Sequence, residues 1–522
     1  MLWNGWGDPS RATPLPQAVA GLLHELLGVE PSADAPVELE RIRVAPGRLT
    51  GPALAALSAV AEVRTDDESR VRHTRGKSTP DLMRMRAGET ADAPDAVVLP
   101  ASHDEVCAVL AVCAEHAVAV VPFGGGTSVV GGLTPRRAER VIALDLRRLN
   151  AMTALDPVSR TAVLQAGLRA PDAERLLAAQ GFTLGHFPQS FEWATIGGFA
   201  ATRGSGQASA GYGRFDEMVV ALTAATPRGT LDTGRAPRSA AGPDLRQLLL
   251  GSEGALGVIT SVTVRVRPLP QARRYEGWRF DSFDSGAAAM RRLAQDGPLP
   301  TVLRLSDEAE TMVGLARPQS VSELRSTAGC LLLAGYEGTR DGTEDLRSRT
   351  HTALRALGGE PLGDEPGEQW AEGRYHAPYL RDALLGAGAF AETLETAAFW
   401  SRIPDLYAAV RDALTATLTA AGTPPLVMCH ISHVYETGAS LYFTVVCARG
   451  KDDPLAHWDA AKRAASDAIA AHGGTISHHH GVGTDHREWF GQEVGPVGTA
   501  LLRAVKDGLD PAGILNPGVL VP

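Results

Sequence analysis

Cysteine is sparse in this 522-residue chain: Cys107, Cys113, Cys330, Cys429 and Cys447 are odd in number, scattered and free of CxxC spacing. That excludes a disulfide framework and a zinc ribbon and reads as reduced thiols. No uninterrupted apolar run reaches membrane-spanning length, and the opening Met1-Leu2-Trp3-Asn4-Gly5-Trp6-Gly7 has neither a charged n-region nor an apolar h-region. A soluble, cytoplasmic protein without a transmembrane segment is expected. Positive charge is not in excess: the formal net charge is -10, which leaves no broad electrostatic footprint for nucleic acid. Lysine is scarce beside abundant arginine and alanine, a coding bias with no mechanistic content. Internal repeats, low-complexity tracts, a Walker loop and a GxGxxG fingerprint are all missing.

What is present suits a globular enzyme of two or three domains, with 44% hydrophobic and 21% charged residues. Residues 14–62 read as helical pieces broken by prolines, and an Arg-rich stretch follows to Arg86. From 96 to 268 short β-branched runs (97–99, 118–121, 141–144, 258–266) alternate with helices near 103–116 and 171–180. The prolines of Arg267-Pro268-Leu269-Pro270 cannot continue a central strand and mark a boundary. Beyond it, strands near 277–280, 302–305, 330–336 and 440–446 alternate with helices near 284–295, 343–357, 404–420 and 454–472, the pattern of a sheet covered by helices. The segment from 509 reads as a turn-rich tail.

The run Val121-Pro122-Phe123-Gly124-Gly125-Gly126-Thr127-Ser128 follows an apolar strand with three glycines and two hydroxyls. Glycine lets the backbone approach a ligand closely, and successive N–H groups form an anion-binding concavity fit for a pyrophosphate. Three more Gly-rich segments follow: Pro188-Gln189-Ser190-Phe191-Glu192-Trp193-Ala194-Thr195-Ile196-Gly197-Gly198, Thr202-Arg203-Gly204-Ser205-Gly206, and Gly251-Ser252-Glu253-Gly254-Ala255-Leu256-Gly257-Val258-Ile259.

Two further features stand out. His478-His479-His480 lies between Ser477 and a Gly-x-Gly turn, and in an extended backbone His478 and His480 face one way and His479 the other. Adjacent imidazoles serve proton transfer or substrate binding; metal ligation together with His430 and His433, or a purely structural role, are the rival readings. In Ser440-Leu441-Tyr442-Phe443-Thr444-Val445, period two puts Tyr442 on the polar face of a strand. Arg304, flanked by apolar strand residues, needs a partner, for which a flavin or an anionic substrate would serve.

The Gly-rich segments in this order resemble a flavin-binding domain of the vanillyl-alcohol-oxidase type (PCMH-type). Together with Trp3-Asn4-Gly5-Trp6-Gly7, Pro378-Tyr379-Leu380-Arg381-Asp382, Leu441-Tyr442-Phe443 and Ser477-His478-His479-His480-Gly481-Val482-Gly483, they make the chain similar nearly end to end to the alkyldihydroxyacetonephosphate synthase family. The resemblance implies an α+β fold: an N-terminal helical extension over 1–90, a two-subdomain FAD-binding domain over 91–270, an antiparallel-sheet cap domain covered by helices over 271–490, and a C-terminal tail over 491–522 returning to the FAD domain. It implies non-covalent FAD, and no histidine or cysteine occurs in 122–132 to anchor it. FAD contacts carried over from the family are Pro122, Phe123, Gly124, Gly125, Gly126, Thr127, Ser128, Gln189 (an aspartate in the family), Ser190, Thr195, Gly198, Thr202, Arg203, Gly204, Ser205, Glu253, Gly254, Gly257, Val258, Ile259 and Arg304. The active site carried over is Tyr442, His478, His479, His480, Arg381 and Thr393, the last standing where the family has a serine; no metal is implied.

The family's reaction exchanges the acyl group of acyl-dihydroxyacetone phosphate for a fatty alcohol through a flavin N5 adduct, with Tyr442 and His479 as proton carriers and Arg381 gripping phosphate or carboxylate. A small-molecule or lipid-like substrate and a homodimer fit this reading. The family's longer aromatic and basic insertion is short and polar here, between 307 and 330, without a basic amphipathic stripe. An oxidase or dehydrogenase of a 2-hydroxy acid or secondary metabolite is the alternative, although relatives of that kind carry motifs resembling HxGDGNLH and EHG where this chain has Tyr442 and His479-His480-Gly481. A flavin-less binding protein is the third class.

Overall fold

A computed structural model describes residues 1–31, 35–135, 138–315, 329–450 and 452–521. The apolar runs before residue 150 fold into one sheet of four strands, in the order Glu62–Arg64, Ala96–Leu99, Val141–Asp145, Ala119–Phe123. The last three run parallel, and Ala96–Leu99 and Val141–Asp145 are buried at every residue, as strands covered on both faces must be. Helix His103–Glu115, opened by Ser102 accepting from Glu105 N–H, provides the crossover to Ala119–Phe123. Five antiparallel strands form a second sheet, in the order Met152–Asp156, Thr161–Gln165, Val258–Arg265, Val219–Thr226, Gly229–Thr233. One apolar core, including Leu110, Ile142, Leu164, Ile196 and Val262, joins the two sheets. Glu62–Arg64 thus belongs to the first sheet rather than to a separate N-terminal extension.

At Arg267–Pro268 the chain leaves this body to pair with Phe182–Thr183, and Ala272–Phe280 starts a sheet of seven strands. Its order is Glu360–Gly363, Ala272–Phe280, Cys330–Gly338, Val302–Ser306, Leu426–Ile431, Gly438–Ala448, Ala389–Phe399, and every pair is antiparallel. Helices Phe283–Asp296, Arg340–Ala356, Ile403–Ala420 and Pro454–Ala471 share a core with it through Leu293, Leu354, Leu414 and Trp458. The class is α+β, as expected from the sequence.

Two features depart from the sequence reading. Ala389–Phe399 pairs with Gly438–Ala448 along its whole length although alanine and glutamate give it little strand character. The tail expected over 491–522 begins as helix: Arg487–Leu509 continues into it, kinked at Gly495 (φ 68°) before Pro496. The turns come after 509, where Val120 N–H donates to Ile514 O (2.8 Å) and Asn516 N–H to Val120 O (2.9 Å), placing the tail beside Ala119–Phe123. Among the described residues no helix is long and apolar enough to cross a membrane.

Candidate active site

The glycine loop leaves the end of Ala119–Phe123, and its glycines are required by contact. A Cβ on Gly125 would drive into Trp193 O and one on Gly124 into Thr195 Oγ1, while Gly126 sits at φ +67° over the Phe123 ring. The 189–195 segment therefore lies directly on the loop. The loop is fastened from three other directions. Lys77 N–H donates to Ser128 O (2.6 Å), Thr484 N–H donates to Val130 O (3.1 Å), and Asn516 Nδ2 donates to both Gly132 O (3.0 Å) and Glu253 O (2.7 Å). Ser128 Oγ accepts from Gly132 N–H (3.1 Å), and Thr127 is partly exposed. Pro122 is packed so tightly that Gly254 (φ +78°) has no room for a side chain.

Several expected cofactor residues spend their side chains on the protein. Glu253 (φ 47°) accepts from Val482 and Gly483 N–H, each at 2.9 Å, and burial pushes its carboxyl up to about 7. Arg203 donates to Leu250 O (3.0 Å) and Gln247 O (3.1 Å) and pairs with Asp216. Thr195 caps Ile196–Thr202 through Gly198 N–H, and Thr202 donates back to Gly198 O. Ser205 Oγ faces His433 Nδ1 at 3.0 Å. Val258 and Ile259 are core residues and Gly257 abuts Thr226, so only their backbone is available to a ligand. Arg304 finds its partner within the chain: its Nη2 is 3.0 Å from Glu310 and 2.9 Å from His430 Nδ1. By contrast, Gln189 Nε2 and Trp193 Nε1 are buried with no protein partner, and Ser190 holds its turn through its carbonyl, which accepts from Trp193 and Ala194 N–H. Gly204 lies over the His186 ring, whose two nitrogens are likewise unpaired.

The histidine triplet is not extended. Glu395, on strand Ala389–Phe399, accepts from Ser477 Oγ (2.7 Å) and from the N–H groups of His478 (2.7 Å), His479 (3.1 Å) and His480 (2.9 Å). The backbone wraps around this carboxylate, and that is why the three rings gather instead of alternating. Burial alone would raise the Glu395 carboxyl, but the imidazoles of His479, His480 and His478 and the Ser477 hydroxyl outweigh it and hold it well below the usual range.

Tyr442 stands opposite Glu395 in the strand register. Its ring stacks on His430 (4.8 Å) and His479 (6.0 Å) and meets His480 edge-on (5.6 Å). Burial pushes its phenol up to about 12 against a hydrogen bond with Thr393. Burial also lowers all three triplet imidazoles, His480 to about 3, with Glu395 opposing. Arg381 reaches the same corner: its Nη1 donates to the carbonyl of Lys77, the residue whose N–H holds Ser128, and its charge acts on Tyr442 and on buried Glu392. Glu392 accepts from Thr393 N–H (2.8 Å). The N-terminal turn braces helix Ala377–Gly386, which carries Arg381, through Trp6 N–H donating to Asp382, while Lys77 Nζ donates to Leu2 O (3.0 Å) and Trp3 O (2.8 Å).

Ring nitrogens of His433, His478 and His479 lie within 4.8 Å of one another. The His433 and His478 rings are stacked at 22°, however, and both His478 nitrogens already have partners, so their lone pairs do not converge on a point. Of the short polar segment at 307–330, residues 316–328 lie outside the described residues; helix Glu308–Leu315 before them exposes Met312 and Val313. Glu395, Glu392 and Tyr435 were not singled out from sequence. For the two glutamates a signal existed, since charged residues punctuate a run otherwise made of alanine, threonine, leucine and phenylalanine.

Comparison with known proteins places these geometries. Residues 94–234 match the model of the FAD binding domain, and 269–520 that of the C-terminal domain of FAD linked oxidases. The chain is 32% identical to alkyldihydroxyacetonephosphate synthase of Dictyostelium discoideum over 100% of its own length and 93% of the relative's. It is 33% identical to the Trypanosoma brucei brucei enzyme of that name, again over 100% of its length and 92% of the relative's. It belongs to the alkyldihydroxyacetonephosphate synthase family. A solved structure of alkyldihydroxyacetonephosphate synthase superposes with a TM-score of 0.84 at 31% identity, covering 99% of this chain and 98% of that one. Members of this family are FAD-dependent enzymes, and so is this chain. The residues fit the cofactor: a glycine loop with no space for side chains, beside buried Gln189 and Trp193 donors that no protein atom satisfies.

Proposed function

We propose that this enzyme exchanges the acyl group of acyl-dihydroxyacetone phosphate for a fatty alcohol without net oxidation, using FAD held without a covalent bond. The observation that carries the reading is the corner around Tyr442, where one phenol and three imidazoles gather within the field of the Arg381 guanidinium. At neutral pH the raised phenol keeps its proton and the lowered imidazoles are uncharged. An uncharged imidazole accepts a proton from the substrate carbon next to the ketone, and a phenol or ring N–H meets the departing carboxylate. Arg381 supplies the positive charge that a phosphate or carboxylate needs, and Thr393 steadies the phenol. Bound FAD supplies an electron-poor ring that takes electron density from the substrate carbon and returns it. The absence of histidine and cysteine from 122–132 supports the non-covalent mode.

The test is an anaerobic flavin spectrum. Bleaching of the oxidised band by acyl-dihydroxyacetone phosphate, with recovery on adding an alcohol and no oxygen, is expected. Bleaching by a 2-hydroxy acid that only oxygen or another acceptor reverses would overturn the reading in favour of an oxidoreductase.

A further inference from the structure

Tyr435 lies outside the groups used for proton transfer above, yet it is hydrogen-bonded into the triplet. Tyr435 follows strand Leu426–Ile431 in a tight turn, where its N–H donates to Gly438 O (2.8 Å) and its carbonyl accepts from Trp400 Nε1 (3.0 Å). Its phenol oxygen is 2.6 Å from His478 Nε2, and it feels the charge of the Arg214 guanidinium, which Asp216 holds at 3.1 Å. A positive guanidinium draws the phenol's lone pairs toward itself, and a phenol O–H is a far stronger acid than the N–H of a neutral imidazole, so across the 2.6 Å contact the phenol hydrogen goes to His478 Nε2. Burial raises this phenol, which keeps that hydrogen in place.

A neutral imidazole that accepts at one nitrogen carries its hydrogen on the other. His478 therefore presents Nδ1–H, and the atom 3.0 Å away is His479 Nδ1. The competing acceptor, Glu395 Oε2, is 3.6 Å from His479 Nδ1, outside hydrogen-bond reach, and already accepts from His478 N–H. The His478 ring is kept in plane by His433, stacked at 5.0 Å and itself anchored by Ser209 (2.7 Å) and Ser205 (3.0 Å).

We propose that Tyr435 is a positioning residue which, through His478, fixes His479 as an Nε2–H hydrogen-bond donor beside Tyr442, leaving His480 as the imidazole that accepts a proton. His480 stands outside this chain of bonds. Its Nδ1 is 3.9 Å from Glu395 Oε1, beyond hydrogen-bond reach, so no such bond commits the ring and a lone pair stays available to accept. The division of roles between His479 and His480 rests on the exchange reaction proposed above; the tautomer of His479 does not.

The test uses the FAD-loaded full chain labelled with nitrogen-15 histidine, with His478 and His479 resonances assigned from His478→Asn and His479→Gln. Long-range proton–nitrogen spectra at pH 7.5 are expected to show hydrogen on His478 Nδ1 and His479 Nε2. In Tyr435→Phe, which keeps the ring, both residues should show averaged tautomers while the flavin spectrum is unchanged. The exchange kcat should fall about 10²-fold or more with KM nearly unchanged, as expected when a catalytic imidazole adopts the wrong tautomer. In a His478→Asn background, whose carboxamide donates to His479 without help, Tyr435→Phe should add no further loss. Hydrogen on His479 Nδ1 in the wild-type spectrum overturns the proposal even if Tyr435→Phe does not fold, and so do spectra and kcat that Tyr435→Phe leaves untouched. The expected tautomers in a protein that performs no exchange would refute the reaction and leave the positioning role standing.

Discussion

Replacing Glu395 by glutamine tests what holds the three histidines together. The carboxylate accepts four hydrogen bonds: three on Oε1, from Ser477 Oγ, His479 N–H and His480 N–H, and one on Oε2, from His478 N–H. A carboxamide has the same shape but only one accepting oxygen. Its less costly orientation keeps the Oε1 partners and turns –NH2 toward the His478 N–H. That loses one bond to a charged acceptor, worth about 1.5–3 kcal/mol, and leaves a buried N–H facing another donor, at about 1–3 kcal/mol. The combined destabilisation is roughly 3–5 kcal/mol, with the three remaining bonds weakened further by loss of the charge. Urea unfolding of the FAD-loaded protein, followed by flavin fluorescence, measures the stability loss. Anaerobic exchange turnover measures the displacement of the rings, and exposed Glu368→Gln is the control. A loss below about 1 kcal/mol together with wild-type turnover would show that the carboxylate does not organise the triplet.

Gly125→Ala places a methyl group against Trp193 O, so the purified variant should be nearly colourless and bind added FAD at least about tenfold more weakly by fluorescence titration. Acid should destabilise the holoenzyme below pH 6.5, because the buried imidazoles outnumber Glu253, whose raised carboxyl acts the other way. His480 and His186 have their folded values lowered from 6.5 to about 3, so their contribution is complete above pH 6.5 and is lost as pH falls from 6.5 toward 3. Each steepens the fall of stability by up to about 1.4 kcal/mol per pH unit, and a flat urea midpoint between pH 7 and pH 5 would contradict the buried neutral state. Removal of residues 1–8 takes two carbonyl partners from the buried Lys77 ammonium and the Trp6 N–H from Asp382; a raised KM for the phosphate substrate with FAD retained is expected, and unchanged kinetics would separate Arg381 from the N-terminal turn.

The sheets were legible where burial forces a pattern. The runs at 96–99 and 141–145 are apolar because both faces are covered, and Leu441, Phe443 and Val445 are fully buried while Tyr442 is not, as period two requires. Ala389–Phe399 escaped because its partner strand, not its own composition, makes it a strand. The triplet's conformation escaped for a related reason: Glu395 lies 83 residues from His478 in sequence, and no local rule announces that a distant carboxylate will collect three successive N–H groups. Arg304 shows the opposite error. The need for a partner was correct, but Glu310 and His430 meet it from within the chain, six and 126 residues away.

The glycine loop explains why likeness to relatives extends over the whole chain instead of one domain. Packing builds two large cores, one under each body, and smaller apolar clusters where they meet, such as Phe187, Ala208 and Val302. What fixes the loop against the cap is a set of polar ties: Lys77 to Ser128, Thr484 to Val130, Glu253 to Val482 and Gly483, and Asn516 to Gly132. These directional bonds specify distance where apolar contact would allow sliding. They also draw on residues from near the start, the middle and the last few positions of the chain. Arg381 is set by Lys77, which is set by Leu2 and Trp3, so the first residues bear on where the guanidinium stands relative to Tyr442. A corner assembled in this way loses its geometry when any one of the contributing segments is removed, even though each body keeps its own apolar core.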